Sequence, residues 1–95
     1  MKVNLKTSLK AFDGADVTDA TGPVLISTLC INALMKEDTV AGAEKMKRFL
    51  LARRIYDAEG DLDITVEEAS LIKDLVGSTF APIVVGRVYE LLEGV

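Results

Sequence analysis

The sequence contains no histidine and no tryptophan, and it has only one cysteine and two prolines among its 95 residues. The absence of histidine excludes Ser-His-Asp and Cys-His catalytic groups, histidine general bases, and most zinc and haem sites. The lone cysteine, Cys30, cannot form a disulfide within the chain and is typical of a reducing compartment. We therefore expect a protein that is not an enzyme, that binds no cofactor and no metal, and that has no small-molecule substrate.

Long hydrophobic runs are also missing. The longest nearly apolar stretch covers residues 24–35, and Ser27, Thr28 and Asn32 interrupt it. This stretch is well short of the ~20 residues that a membrane-spanning helix needs. The first six residues contain no apolar core of a signal peptide. We therefore expect no membrane association and a cytoplasmic location in a bacterial host.

The composition that remains is typical of a globular protein. Hydrophobic residues make up 49% of the chain and charged residues 27%, whereas aromatic residues make up only 5%. A chain of this length predicts one domain, residues 1–95, with a core of aliphatic side chains. The formal net charge of −4 argues against general nucleic-acid binding, which depends on neutralising phosphates.

The N-terminal quarter has the pattern of a β-hairpin. Residues 2–12 alternate between apolar and polar side chains, as in a half-buried strand. Asp13 and Gly14 then form a common turn pair, since both tolerate a positive φ. Residues 15–18 fit a short return strand, and residues 19–22 fit a loop.

Two helices are predicted next. Pro23 suits a first helical turn, and the apolar residues of 24–35 follow helical spacing, although β-branched residues leave a strand possible for the first half. A polar break at 36–39 separates this helix from a second one, which begins at residue 40 or 41 and ends at residue 58.

The C-terminal third predicts a short strand and two more helices. Gly60 is a helix stop, and Leu62 and Ile64 are spaced to add a strand to the hairpin. Thr65 and Glu68 form the pattern of a capping box. The helix that they begin is predicted to end at Gly77. A last helix starts around residues 78–82 and ends at Gly94, with Gly86 placed for a close approach of another backbone. The expected fold is α+β and mostly helical, with about four helices and a short N-terminal β-hairpin.

The charges are unevenly distributed. Residues 45–54 carry five basic residues and no acidic one, whereas residues 57–68 carry six acidic residues and no basic one. The basic residues are candidates for contact with an acidic protein partner or with nucleic acid. They also fit a solvated helix face that pairs with the acidic loop. These candidates are Lys45, Lys47, Arg48, Arg53 and Arg54.

The acidic loop partly matches a calcium-binding EF-hand. With Asp57 at position 1, Glu59, Asp61 and Glu68 fall at ligand positions 3, 5 and 12. However, Leu62 occupies position 6, where the turn requires the conformational freedom of glycine. A calcium-modulated module therefore remains an alternative to a polar turn whose acids favour the N-terminus of the following helix.

Several segments resemble small proteins of bacteriophage and prophage genomes. They are DLDITVEEASLIK at 61–73, APIVVG at 81–86, and the stretches 6–14 and 22–34. The resemblance covers most of the chain and contains no catalytic motif. It implies a viral origin. Because many small phage proteins bind host machinery or assist particle assembly, it also favours a binding role.

The apolar segments support the same function. Stretches 24–35, 66–76 and 83–92 each carry an apolar stripe, and three such stripes exceed what a small bundle always needs to close on itself. The hypothesis is therefore a non-enzymatic protein–protein interaction or assembly module that self-associates. The expected partner is a protein, either a second copy of the chain or another protein. A nucleic-acid accessory factor is a further alternative.

Overall fold

The computed structural model describes residues 1–93 and confirms an α+β, mostly helical fold. Four helices follow an N-terminal region of short strands. The elements, in chain order, are β1 (Lys2–Val3), β2 (Thr18–Asp19), β3 (Gly22–Pro23), α1 (Ile26–Met35), α2 (Gly42–Asp57), β4 (Leu62–Asp63), α3 (Val66–Thr79) and α4 (Pro82–Glu93). The predicted end of the last helix at Gly94 lies outside the described residues. Within 1–93, no helix is both long and apolar enough to cross a membrane.

The N-terminal segment is extended, and its side chains alternate as predicted. Val3, Leu5 and Leu9 are buried in the core, whereas Asn4 and Lys6 are exposed. Only Lys2–Val3 forms a regular strand, so the predicted continuous strand over 2–12 is wrong in extent. The rest of the segment makes scattered backbone bonds instead, because its neighbours are loops and a helix terminus rather than one long partner strand.

Of the two N-terminal turns, one is as predicted and the other is tighter than predicted. Gly14 has a φ of +87°, which confirms the turn at Asp13 and Gly14. The predicted loop over 19–22 is instead a second hairpin, in which Thr18 pairs with Pro23 and Asp19 pairs with Gly22. Gly22 has a φ of +119°, a conformation that other residues rarely adopt.

Helix α1 begins later than expected. Pro23 lies in β3 rather than in a first helical turn, because the Val24 N–H donates to the Val17 carbonyl and keeps the chain extended. The helix has no side-chain N-cap. Instead, the first amides, of Ile26 and Ser27, donate to backbone carbonyls of the N-terminal segment at 2.9 and 2.7 Å. These bonds satisfy donors that a helix N-terminus otherwise leaves unpaired.

From α2 to the start of α3, the fold follows the sequence signals closely. Helix α2 covers most of the predicted range. The expected short strand is present as β4, but it pairs antiparallel with β1 alone, in a sheet separate from the β2–β3 hairpin. The capping box is also present: Thr65 Oγ1 accepts from the Glu68 N–H at 3.1 Å, and Glu68 Oε1 accepts from the Thr65 N–H at 2.9 Å.

Gly77 and Gly86 do not have the roles that the sequence predicted. Helix α3 continues through Gly77 to Thr79, so the predicted stop at Gly77 is wrong. A Cβ at this position would lie 3.2 Å from the Tyr89 hydroxyl of α4, whereas a Cβ at Gly86 would meet nothing within 4 Å. The close approach between helices therefore occurs at Gly77 and not at Gly86.

The core is aliphatic and continuous. Helix α1 packs against α2 and α3, and α3 packs against α4. The most completely buried large side chains come from all four helices: Cys30, Ile55, Ile72, Val76 and Val88. Aromatic rings contribute little, as the composition indicated.

Replacing Thr65 with alanine should lower the free energy of unfolding by ~1 kcal/mol, because the Glu68 amide loses its acceptor. Thr65→Ser keeps the hydroxyl and should stay close to wild type. Urea denaturation followed by circular dichroism measures both. Equal losses for serine and alanine would contradict a capping role.

Replacing Gly86 with alanine should raise the free energy of unfolding by about 0.5–1 kcal/mol, because the new methyl group meets open space within α4. Gly77→Ala should gain less or lose stability, because its methyl group crowds the Tyr89 hydroxyl. Thermal and urea unfolding of the two variants make the comparison. A larger gain at Gly77 than at Gly86 would show that the packing of α3 on α4 is different.

Candidate interaction surface

Helix α2 has two dissimilar faces, and its inner face fixes its position in the fold. Leu51, Ala52 and Ile55 lie at helical spacing and are buried against the core. Arg48 continues this face one turn earlier and is also buried. The opposite face of the helix must therefore point to solvent, because 3.6 residues complete each turn.

The outer face of α2 carries apolar side chains that the core does not use. Met46, Phe49 and Leu50 follow i, i+3, i+4 spacing and form a single ridge, which we call the α2 ridge. Met46 is 54% exposed, Phe49 41% and Leu50 40%. Three large apolar residues side by side on one exposed helix face are typical of a protein contact.

Exposed cations flank the α2 ridge. Lys45 and Lys47 lie beside Met46, and Arg53 lies one turn after Phe49. The Arg53 guanidinium sits over the Phe49 ring, 5.9 Å from its centroid. Within residues 1–93, none of these three cations forms a salt bridge. They are therefore available to a partner.

Arg48 has a different role from its neighbours. Its Nη1 donates to Asp38 at 3.1 Å and its Nε donates to Glu44 at 3.2 Å. The hydrogen bond from Arg48 also holds the pKa of Asp38 below its ordinary value. Arg48 thus fastens the α1–α2 connection to helix α2 and does not extend toward a partner.

Arg54 is also used within the chain. Its Nη1 donates to Glu68 at 2.5 Å, and its Nη2 donates to the Asp63 carbonyl at 2.7 Å. The basic helix therefore pairs with the acidic loop at this position, as one of the sequence interpretations proposed. The five candidate cations divide into three exposed ones on the outer face and two that tie α2 to its surroundings.

Shallow grooves run along both sides of the α2 ridge. The one beside Phe49 has a volume of about 380 Å³ and is lined by Met35, Val40 and Lys45 among others. The one beside Leu50 has a volume of about 390 Å³ and is lined by Lys47, Arg53 and Arg54 among others. A ridge between two grooves is a shape into which side chains of a second helix can interdigitate.

The surplus apolar surface is not where the sequence placed it. The stripes of α1, α3 and α4 supply most of the buried core, so they are largely covered within the molecule. Helix α2 carries the excess instead. The sequence contains a signal for this exposed apolar surface, because helical spacing divides the apolar residues of α2 between two sides. Met46, Phe49 and Leu50 fall on one side, and Leu51, Ala52 and Ile55 fall on the other.

A second exposed apolar feature lies at the tip of the first hairpin. Phe12 is 95% exposed. It borders a smaller groove of about 200 Å³ with Pro82, Ile83 and Arg87 of α4. Unlike the cations beside the α2 ridge, Arg87 is bonded within the molecule, to the Lys10 and Ala11 carbonyls and to Glu90.

The acidic loop does not assemble the arrangement of an EF-hand. Glu68, the proposed ligand at position 12, is bonded to Arg54 and to the Thr65 amide. Between Met1 and Glu93 no group of three or more potential metal ligands comes together. The calcium alternative therefore has no supporting geometry in this part of the chain.

Cys30 is fully buried in α1. Burial raises the pKa of its thiol to about 12, because the low-polarity interior disfavours the thiolate. The side chain packs as a small hydrophobic residue.

Lowering the pH should destabilise the fold partly through Glu68. Burial pushes the pKa of Glu68 upward, but the Thr65 amide and Arg54 lower it more, so the pKa lies below its ordinary value. A carboxyl with a depressed folded-state pKa stabilises the fold above its unfolded pKa and loses that contribution as the pH falls through the folded value. The melting temperature should therefore fall as the pH is lowered from 7 to below 4.5, the ordinary pKa of a glutamate.

Glu68→Gln should lower the melting temperature at pH 7 and make this acid-induced fall shallower. Glu67→Gln is the matched control, because Glu67 is exposed and makes no side-chain hydrogen bond in the described part of the chain. Thermal melts of both variants across this pH range make the test. Identical pH profiles for Glu68→Gln and wild type would contradict the role of Glu68.

Comparison of the chain with protein-family models, with curated proteins and with solved structures finds no match. The resemblance to small phage and prophage proteins stays a prediction. The function is therefore argued from the geometry of this chain alone.

Proposed function

We propose that the protein is a non-enzymatic interaction module that binds an acidic protein surface through the outer face of α2. The observation that carries this proposal is the α2 ridge, whose apolar side chains are exposed between Lys45, Lys47 and Arg53. Apolar residues at the centre of an interface supply affinity, and charges at its rim supply orientation and a faster encounter. A cytoplasmic location and a phage or prophage origin belong to the same proposal.

The charge distribution favours a protein partner over nucleic acid. The chain as a whole has a net charge of −4, so long-range repulsion opposes a polyanion everywhere except at α2. Exposed Phe49 and Tyr56 on the basic helix do resemble the aromatic residues on which bases stack. However, Asp57 and Glu59 are exposed directly after Tyr56 in the chain, and their carboxylates repel a nucleic-acid backbone. Nucleic acid is therefore an outcome to be tested rather than the proposal.

A designed peptide tests the proposal directly. An amphipathic helical peptide with leucine on one face and glutamate on the other should bind the protein, and the same peptide with lysine in place of glutamate should not. Phe49→Ser should weaken binding of the acidic peptide by about tenfold or more, because an anchor residue of the ridge is lost. Isothermal titration calorimetry measures both peptides.

Phe12→Ser is the matched control, because it removes an exposed phenylalanine from a different surface. It should leave peptide binding unchanged. Vesicles containing phosphatidylglycerol and a single-stranded oligonucleotide serve as competing probes. Binding to either of these without binding to the acidic peptide, or equal losses for Phe49→Ser and Phe12→Ser, would contradict the proposal.

A further inference from the structure

The molecule has a second exposed surface, whose charge is opposite to that of the cations beside the α2 ridge. Five acidic residues at the end of α2, in the following loop and at the start of α3 are exposed: Asp57, Glu59, Asp61, Asp63 and Glu67. Together with Val66 we call them the acidic surface. The Asp63 carboxylate is 3.3 Å from the amino group of Met1. The other four form no salt bridge within residues 1–93.

The acidic surface also has an apolar component. Val66 is 72% exposed and Met1 is 45% exposed. Both line a shallow groove of about 650 Å³ that Asp63 and the paired Arg54 and Glu68 also border. Exposed apolar side chains with carboxylates nearby are the chemical complement of exposed apolar side chains with ammonium and guanidinium groups nearby.

We infer that the acidic surface of one copy of this chain binds the α2 ridge of another, so that copies assemble head to tail. This inference rests on the proposed function and names the partner of the α2 ridge. Within one molecule, Arg54 of α2 already pairs with Glu68 of α3. On the two surfaces, the side chains left without a salt bridge within residues 1–93 are the cations Lys45, Lys47 and Arg53 beside the α2 ridge and four of the five carboxylates of the acidic surface.

Charge argues against a symmetric contact centred at Leu50. In a two-fold contact of α2 on α2 centred at Leu50, the helices run antiparallel. Lys47 and Arg53 each lie three residues from Leu50, so Lys47 of one copy would face Arg53 of the other. Like charges brought together in this way oppose association. The head-to-tail contact places unlike charges together and leaves one free surface of each kind at its two ends, so it can repeat along a chain of copies or close into a ring.

Two variants that each destroy one surface test the inference. Met46→Glu/Lys47→Glu removes the basic surface, and Glu59→Lys/Asp61→Lys removes the acidic one; all four residues are exposed. Each variant alone should be monomeric by sedimentation velocity at concentrations where wild type self-associates. An equimolar mixture should form a one-to-one dimer and nothing larger, because each variant supplies the surface that the other lacks.

The matched control is Ser70→Glu/Asp74→Lys, which changes the charge of two exposed residues of α3 outside both surfaces. It should assemble as wild type does. Raising the salt concentration from about 50 to 500 mM should weaken wild-type association, because the Debye length shortens. Circular dichroism of each variant establishes that it is folded.

Wild-type protein provides a readout that needs no substitution. A mixture of nitrogen-15-labelled and unlabelled chains, treated with a zero-length carboxyl-to-amine cross-linker, should give mixed-isotope links between Lys45 or Lys47 and acids of the acidic surface. Absence of these links from associated wild-type protein would overturn the inference.

The outcomes also separate the inference from the proposed function. A variant mixture that stays monomeric while wild type associates would overturn head-to-tail assembly in favour of a symmetric contact. Wild type that is monomeric at every concentration but binds the acidic peptide would overturn self-assembly and leave the proposed function standing. Failure of both experiments would overturn both.

Discussion

The fold depends on the backbone of its first nine residues. The carbonyls of Leu5 and Thr7 accept the first amides of α1, the Met1 carbonyl accepts from Ile64 beside β4, and the Leu9 backbone bonds with both Val17 and Val24. One extended segment thus joins both hairpins, the start of α1 and the strand before α3. Because burying an unpaired backbone group is costly, these bonds determine where each neighbouring element begins.

The packing of the helices determines which apolar side chains stay exposed. Helices α1, α3 and α4 bury most of their apolar stripes in the core, while α2 packs on the core through only one side. Two salt bridges, Arg48 with Asp38 and Arg54 with Glu68, hold α2 to the segments before and after it. The remaining cations and the α2 ridge stay outside. The surface that is available for binding is therefore a result of how the core closes.

Local signals in the sequence predicted much of the fold. The capping box at Thr65 and the turn at Gly14 depend on chemistry within a few residues, and both are confirmed. Pro23 and Gly77 were misread because tertiary contacts decide their roles. A bond from Val24 to Val17 keeps the chain extended after Pro23, and the hydroxyl of Tyr89 from another helix occupies the space beside Gly77. Neither contact is visible from neighbouring residues.

The candidate surface was predicted only in part. The sequence located the basic cluster, but it could not separate Lys47, which is exposed, from Arg48, which is buried one position later. That distinction depends on which side of α2 meets the core. The apolar part of the surface was assigned to the wrong helices, since hydrophobic spacing alone does not reveal which stripes find a partner inside the molecule.

The burial of Cys30 has a practical consequence for labelling. Its thiol is enclosed in α1 and stays protonated over the usual range of buffers, whereas the thiolate is the form that attacks thiol reagents. A cysteine introduced at an exposed position of either surface would therefore be the only reactive thiol of the folded chain. Fluorophores and spin labels can report on this molecule without removal of its native cysteine.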